Sequence, residues 1–511
     1  MNAEFDVAGG ALVLTGTGNA PAAVAAVGPR ARAMAEVTSD ADGWRAVLPL
    51  RAARWGGPEL PLPTGDYRLT VTGADGALRE VTASAPATMF PDLRAGFEGA
   101  TLRVGPPIDP AYDSGDGQAA LERRYATRPG GLENAVFFES FYGRNASCNP
   151  LAIDRELARV APGVVRYWSV VDRSVVVPDG AIPVVEGSPE WWRARGSSRL
   201  LVVNDWLRRR YSRRPGQIVL QTWHGSPLKR LALHRPGFDP RRAAAVLKES
   251  RRWDVLLAQN AYAAGILRKA YAFLRRPVWV EGYPRNDVLV TGDGAATRAT
   301  LGIGADERVL LYAPTWRDDR AEMLDFLDPA ALAAETDAVV LVRGHSRTLA
   351  AGADATGPRV LDVTTFPDIA QLLLVADALI TDYSSVMFDF TATGKPVFFL
   401  TPDVDHYRGE LRGFYFDLAA HAPGPLLATQ DELVAALADP GVAGRYAPAY
   451  ARWRERFNAR DDGHAAERVV ARILDQGFVE RGGRRADTAR VRAGACSAAG
   501  ATCRRSPSRR G

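Results

Sequence analysis

Two histidines at the ends of apolar runs are the residues best suited to chemistry. His224 stands in Gln221-Thr222-Trp223-His224-Gly225-Ser226-Pro227-Leu228-Lys229, directly after the run 218–220. An imidazole titrates near neutral pH, so it can take a proton from a hydroxyl nucleophile. Gly225 allows a ligand to approach the backbone closely. A histidine that only shapes a loop would fit the same motif. His345 stands in Arg343-Gly344-His345-Ser346-Arg347, after the run 339–342. Two guanidiniums beside a protonated imidazole suit a phosphate on which charge builds; a plain surface turn uses the same residue types. The third stretch is Thr381-Asp382-Tyr383-Ser384-Ser385, which follows Ala378-Leu379-Ile380 and runs into a helical pattern closed by Gly394. Hydroxyls at a helix start join its free N–H groups and the positive end of its dipole in holding a phosphate. Asp and Ser are also ordinary N-caps.

Other polar residues follow apolar runs in the same way. Thr315 and Arg317, in Ala313-Pro314-Thr315-Trp316-Arg317, are placed to reach a substrate. Arg285 belongs to the turn Gly282-Tyr283-Pro284-Arg285-Asn286-Asp287, and Thr365 to Thr364-Thr365-Phe366-Pro367-Asp368, where it would border a base or ribose. Each of these also reads as a plain loop. Cysteine pairs at zinc spacing and His-x-x-x-His are both missing; the Asp-x-Asp pair at Asp40/Asp42 reads as a turn, and that at Asp403/Asp405 as a turn opened by Pro402, though its carboxylates would also suit a divalent cation. Neither a phosphate-binding Gly-x-x-x-x-Gly-Lys-Ser/Thr loop nor a dinucleotide-binding Gly-x-Gly-x-x-Gly is present. The residues therefore imply positive side chains and a helix start around a diphosphate, with no metal and no cofactor.

The elements that must carry these residues fall into three blocks. Residues 1–125 hold short strand candidates at 11–14, 44–48 and 67–71 with turn signals between them, as in a small all-β accessory domain with a binding or spacer role. Strands then alternate with helices. Runs at 135–138, 164–170, 182–185, 200–203, 218–220, 254–257 and 278–280 predict one parallel sheet. Runs at 309–312, 339–342, 360–363, 378–381 and 397–400 predict a second. The fold class is α/β: two Rossmann-like doubly wound domains, at 126–298 and 299–478, with a linker near 290–306. Ligands in such sheets bind beyond the carboxyl ends of strands, where the candidate residues lie.

At 511 residues the chain exceeds a single core. No apolar run reaches the roughly 20 residues of a membrane span, the N-terminal residues lack the core of a signal peptide, and three cysteines make no disulfide framework. These features point to an intracellular protein. The net charge of +5 hides an uneven distribution. The tail 479–511 reads as basic and disordered, with nine arginines against Asp487 alone from residue 481 on. Residues 206–276 hold seventeen Lys or Arg against three acids. That field suits an anionic partner, though a solvated helical face would show it too.

The ordered set of motifs resembles the CDP-glycerol glycerophosphotransferase family, the teichoic acid polymerases and primases. The landmarks are 136–143, Trp223-His224-Gly225-Ser226-Pro227-Leu228-Lys229, Gly282 to Asp287, Ala313-Pro314-Thr315-Trp316, Arg343-Gly344-His345, Thr381 to Ser385, and Phe457 with Asp462-Gly463 and Arg468. The resemblance implies a GT-B-type fold. It implies transfer of glycerol phosphate from CDP-glycerol, or of a related polyol phosphate from a donor such as CDP-ribitol, to a hydroxyl of an anionic polyol-phosphate polymer or lipid-linked primer, releasing CMP. It makes His224 the base for the acceptor and His345 the support of the donor diphosphate. Ser384 and Ser385 become its phosphate site, with Arg468 helping. The remaining expected contacts are Gly225, Ser226, Lys229, Arg285, Thr315, Arg317, Arg343, Thr365 and Asp382. A peripheral place on the anionic inner face of the cell membrane follows, with no nucleic acid partner. The alternatives are a GT-B glycosyltransferase using a nucleotide-sugar donor and a non-catalytic anionic-polymer-binding protein.

Overall fold

The computed structural model describes residues 1–81, 83–128, 130–207, 211–315, 326–344, 357–404 and 413–482. Burial with period two builds the N-terminal part. Trp44–Pro49 buries Trp44, Ala46 and Leu48 and exposes Arg45 and Pro49. Gly65–Thr72 buries Tyr67, Leu69 and Val71 in the same rhythm. Two antiparallel sheets, of four and seven strands, close on one core around Leu12, Leu48, Leu69 and Phe97. A separate hairpin pairs Arg51–Ala53 with Glu59–Pro61. The last antiparallel strand is Thr101–Gly105, and the following helix, Gly115–Ala126, packs Leu121 into the core of the first parallel sheet.

The parallel strands, numbered in chain order, are β1 (Glu133–Glu139), β2 (Val165–Val170), β3 (Ile182–Val185), β4 (Ser198–Val203), β5 (Ile218–Gln221), β6 (Val255–Ala258), β7 (Val278–Val280), β8 (Val309–Tyr312), β9 (Val339–Val342), β10 (Val360–Asp362), β11 (Ala378–Thr381), β12 (Val397–Leu400) and β13 (Leu426–Leu427). The first sheet runs β3-β2-β1-β4-β5-β6-β7 and the second β10-β9-β8-β11-β12-β13. Such strands read as continuous apolar runs because helices cover both faces. Val309 and Leu311 enter a core with Leu379 and Phe388, while Leu310 and Tyr312 enter another with Leu332 and Leu433. Phe137 and Phe138 divide the first sheet's two cores in the same way. This is the expected doubly wound architecture, and the β-rich N-terminal domain precedes it.

Three helices matter for the site: α1 (Cys148–Val160), α2 (Val386–Phe390) and α3 (Ala465–Asp475). Although α3 follows the second sheet, it buries Val469, Val470 and Ile473 with Leu220, Trp279 and Tyr283 of the first. Each such side chain contributes about 1.5–3 kcal/mol. The carboxylate of Asp287 accepts the N–H groups of Ala465 and Ala466, at 2.9 and 2.8 Å, and caps α3 from outside. Beyond α3, Val479 is buried and Glu480 pairs with Arg199 at 2.6 Å, so the chain stays on the first domain past residue 479. Within 290–306, expected as linker, lies the helix Ala295–Thr300, where Thr297 Oγ1 donates to Gln371 Oε1 at 3.1 Å. Among the described residues no helix is long and apolar enough to cross a membrane.

Candidate active site

A strand order of 3-2-1-4-5-6 sends the chain off in opposite directions from strands 1 and 4, which opens a crevice at their carboxyl ends. In the first sheet that point lies between β1 and β4, in the second between β8 and β11. Asn204 follows β4, the His224 loop follows β5, and Asp382 to Ser385 follow β11.

His224 is fixed on several sides. Its Nδ1 lies 2.6 Å from Asn204 O. A carbonyl only accepts, so Nδ1 carries a proton, and in the neutral ring Nε2 is then the nitrogen with the lone pair, the tautomer a general base needs. The Trp223 ring stacks on the imidazole at 4.9 Å, and Phe141 meets it edge-on at 5.7 Å. The surrounding backbone is strained. Phe141, Tyr142, Cys148 and Trp223 have φ of 45°, 60°, 64° and 54°. Left-handed backbone costs non-glycine residues about 1–3 kcal/mol each and persists only where neighbours enforce it. Here Asn204 Oδ1 accepts the Phe141 N–H at 2.9 Å, and Asn149 Nδ2 donates to Thr222 O and Trp223 O at 3.3 and 3.1 Å.

The loop then meets the second domain. A Cβ added to Gly225 would lie 2.7 Å from Ser385 Oγ, so glycine allows this close approach. Beyond it, Tyr415 N donates to Leu228 O at 2.8 Å, Lys229 bridges Phe414, and Arg230 N donates to Gly413 O at 3.0 Å. Ser384 and Ser385 are half-buried at the start of α2. Ser384 Oγ accepts a long bond from Val386 N, 3.4 Å, and Ser385 Oγ has no hydrogen-bond partner among the described residues.

Behind this contact lies a buried polar junction. Arg285 Nη2 pairs with Asp389 at 2.5 Å, both side chains under a tenth exposed. Asn286 Nδ2 donates to Asp389 at 3.0 Å, and Arg285 Nη1 to Cys148 Sγ at 3.1 Å. Burial opposes the Arg285 charge, but Asp389 outweighs it and holds the guanidinium protonated. Asp461 accepts from Gln259 Nε2 at 2.7 Å, Asn458 Nδ2 at 2.8 Å and Tyr283 N at 3.2 Å. Burial still pushes its carboxyl up to about 6.

Residues 124–475 match the model of the family described as CDP-Glycerol:Poly(glycerophosphate) glycerophosphotransferase. The chain belongs to this family. It is similar to the teichoic acid poly(glycerol phosphate) polymerase of Bacillus subtilis (strain 168), 36% identical over 364 residues, 66% of this chain and 48% of that one. It is similar to the teichoic acid glycerol-phosphate transferase of Staphylococcus aureus (strain NCTC 8325 / PS 47), 34% identical over 381 residues, 67% of this chain and 93% of that one. The chain thus matches about half of the Bacillus subtilis relative's length. A solved structure of the wall teichoic acid polymerase TagF with CDPG aligns at a TM-score of 0.65 and 30% identity, over 71% of this chain and 93% of that one.

Within this glycerophosphotransferase framework, several of the expected contact residues also tie loops together. Ser226 is fully buried; its Oγ donates to Gln259 Oε1 at 2.6 Å and accepts from Asn260 Nδ2 at 2.9 Å. Arg285 serves the junction with Asp389. Asp382 Oδ1 accepts from Thr315 N at 2.8 Å and Tyr383 N at 2.5 Å, tying the β8 loop to the β11 loop. Arg468 is engaged in the same way. Its nitrogens reach Asp462 at 2.8 and 2.9 Å, Glu281 O at 2.8 and 3.3 Å and Arg460 O at 2.7 Å, which engages the whole guanidinium. Arg343 differs. Nη1 donates to Val363 O and Phe366 O at 3.0 and 2.9 Å, leaving Nε and Nη2 without a hydrogen-bond partner among the described residues. Burial pushes its guanidinium down to about 10, still cationic at neutral pH. Thr365 is half-buried in the adjoining turn. His345 and Arg317 lie outside the described residues, as do Asp405 of the second Asp-x-Asp pair and the basic tail from residue 483 on. The strand-end criterion that singled out His224 also fits Asn204 after β4 and Gln259 after β6, which were not selected. Asp389 and Asp461 carry no such signal.

Proposed function

We propose that this chain moves glycerol phosphate from CDP-glycerol to a terminal hydroxyl of a teichoic-acid-like polymer or lipid-linked primer, releasing CMP. The observation that supports the reading is the seat of Gly225, the residue after His224, against Ser385 Oγ at the start of α2. His224 Nε2 takes the proton of the acceptor hydroxyl, its Nδ1–H held by Asn204 O. The freed oxygen bonds to the phosphorus that bears glycerol, the bond between the two phosphates breaks, and CMP leaves with its electron pair. Ser384, Ser385 and Arg343 hold the diphosphate, and His345 takes the developing charge. Positioning and electrostatics supply most of the acceleration of such a transfer.

The strand orders and the return of α3 to the first domain support a GT-B arrangement. Peripheral contact with an anionic membrane, at its cytoplasmic face, is supported by Phe238, 89% exposed, beside the exposed Arg235 and Arg241. The test supplies CDP-glycerol, CDP-ribitol and UDP-sugars in turn with a lipid-linked acceptor and follows CMP or UDP. CMP with a product heavier by glycerol phosphate is expected; UDP release without CMP contradicts the reading.

A further inference from the structure

The N-terminal sandwich precedes the matched family region, and the site above uses none of its residues. Its hairpin, Arg51–Ala53 with Glu59–Pro61, nonetheless touches both α/β domains. Arg54 Nη2 donates to Ser174 O at 2.7 Å, in the loop after β2. The very next residue, Trp55, packs edge-on against Phe366, centroids 5.4 Å apart, in the turn after β10. Consecutive residues thus hold opposite domains. Trp55 has a left-handed backbone, φ 52°, which its contacts must sustain. The first-domain anchor is reinforced by Arg30, paired with the buried Asp172 at 3.0 Å, and by Thr64 N, which donates to the same carboxylate at 2.8 Å.

The ring under Trp55 is tied to the donor side of the cleft. The carbonyl of Phe366, with that of Val363, holds Arg343 Nη1. The same turn accepts Gly344 N on Thr364 Oγ1 at 2.9 Å. A ring packed on Phe366 limits the motion of this turn and so fixes the direction of the guanidinium.

We propose that Trp55 is a positioning residue for the donor site. The sandwich braces the two α/β domains at one end of the cleft, and Trp55, through Phe366, aims Arg343 at the donor diphosphate. This rests on the reading that the diphosphate lies beside Arg343.

The test compares the full chain with Trp55→Ala and Trp55→Phe. One arm is hydrogen–deuterium exchange over residues 343–344 and 363–366 without substrate. The other is the KM for CDP-glycerol and for the acceptor. In Trp55→Ala both turns should exchange faster, and the donor KM should rise up to about tenfold, the size an edge-on aromatic pair can carry. The acceptor KM and kcat should stay within about twofold, and Trp55→Phe should restore both readouts. Unchanged exchange overturns the proposal, as does faster exchange with an unchanged donor KM. Should the wild-type chain be inert toward CDP-glycerol, the functional reading fails, and the exchange arm alone supports or overturns the brace.

Discussion

The two α/β domains share a strand order but hold their cleft loops differently. In the first, Phe141, Tyr142, Cys148 and Trp223 have left-handed backbone, and the rings of Phe141 and Trp223 pack on His224. In the second, the described non-glycine residues with positive φ are Asp337 and Arg359, which precede β9 and β10 at the opposite ends of the strands. Ser385 begins α2 with a relaxed φ of −65°. The contrast matches the work proposed for each side. The proposed proton transfer demands an imidazole of fixed tautomer and direction, and the Nδ1 contact with Asn204 O, in a loop held by Asn149, suits it. Holding a diphosphate demands positive potential near an approximate position, which a helix start and a guanidinium supply without strain.

Breaking the junction between these halves should have the largest effect. Arg285→Ala leaves Asp389 buried and unpaired, and the melting temperature should reflect a loss of about 3–5 kcal/mol. Adding Asp389→Ala should return part of it; no recovery would mean the pair is not the joint. The next effect depends on pH. Asp461 binds a proton more readily folded than unfolded, so its contribution to stability is greatest below its unfolded value. That contribution falls as pH rises from about 4 to 6, by on the order of 2–3 kcal/mol. Asp461→Asn lacks this titration. Its melting temperature relative to the parent should climb across that window, and a flat difference would remove Asp461 from the account. On the donor side, Ser384→Ala or Ser385→Ala should cost about 1.5 kcal/mol, roughly tenfold in the KM for CDP-glycerol, with the acceptor KM unmoved. Gly225→Ala drives a methyl group onto Ser385 Oγ and should lower stability by about 1 kcal/mol. A Ser385→Gly background should relieve it; equal loss in both backgrounds would place the strain elsewhere.

Much of the fold was legible because buried parallel strands advertise themselves as apolar runs. Runs read at 309–312, 339–342 and 378–381 are β8, β9 and β11. The closing of the α2 segment at Gly394, φ 77°, followed from its C-cap. β13 escaped because Leu426–Leu427 is too short to show a period. The helix Ala295–Thr300 escaped because its Ala- and Thr-rich residues sit among glycines that suggest a linker. In the candidate site, position after a strand singled out His224, Arg343 and the Ser384 pair. It does not foresee which of the selected residues also bond to distant parts of the chain. Arg285 meets Asp389 across 104 residues, and Arg468 meets Glu281 O across 187. Pairings at that distance leave no local pattern.

The central claim is that His224 removes the acceptor proton while the second domain holds the donor. Single-turnover transfer from saturating CDP-glycerol to a lipid-linked acceptor, in the wild type and His224→Ala, tests it most directly. The chemical step should slow by roughly 10²–10⁴ while the donor dissociation constant changes by less than about threefold. An unchanged chemical step in a folded His224→Ala chain would contradict it.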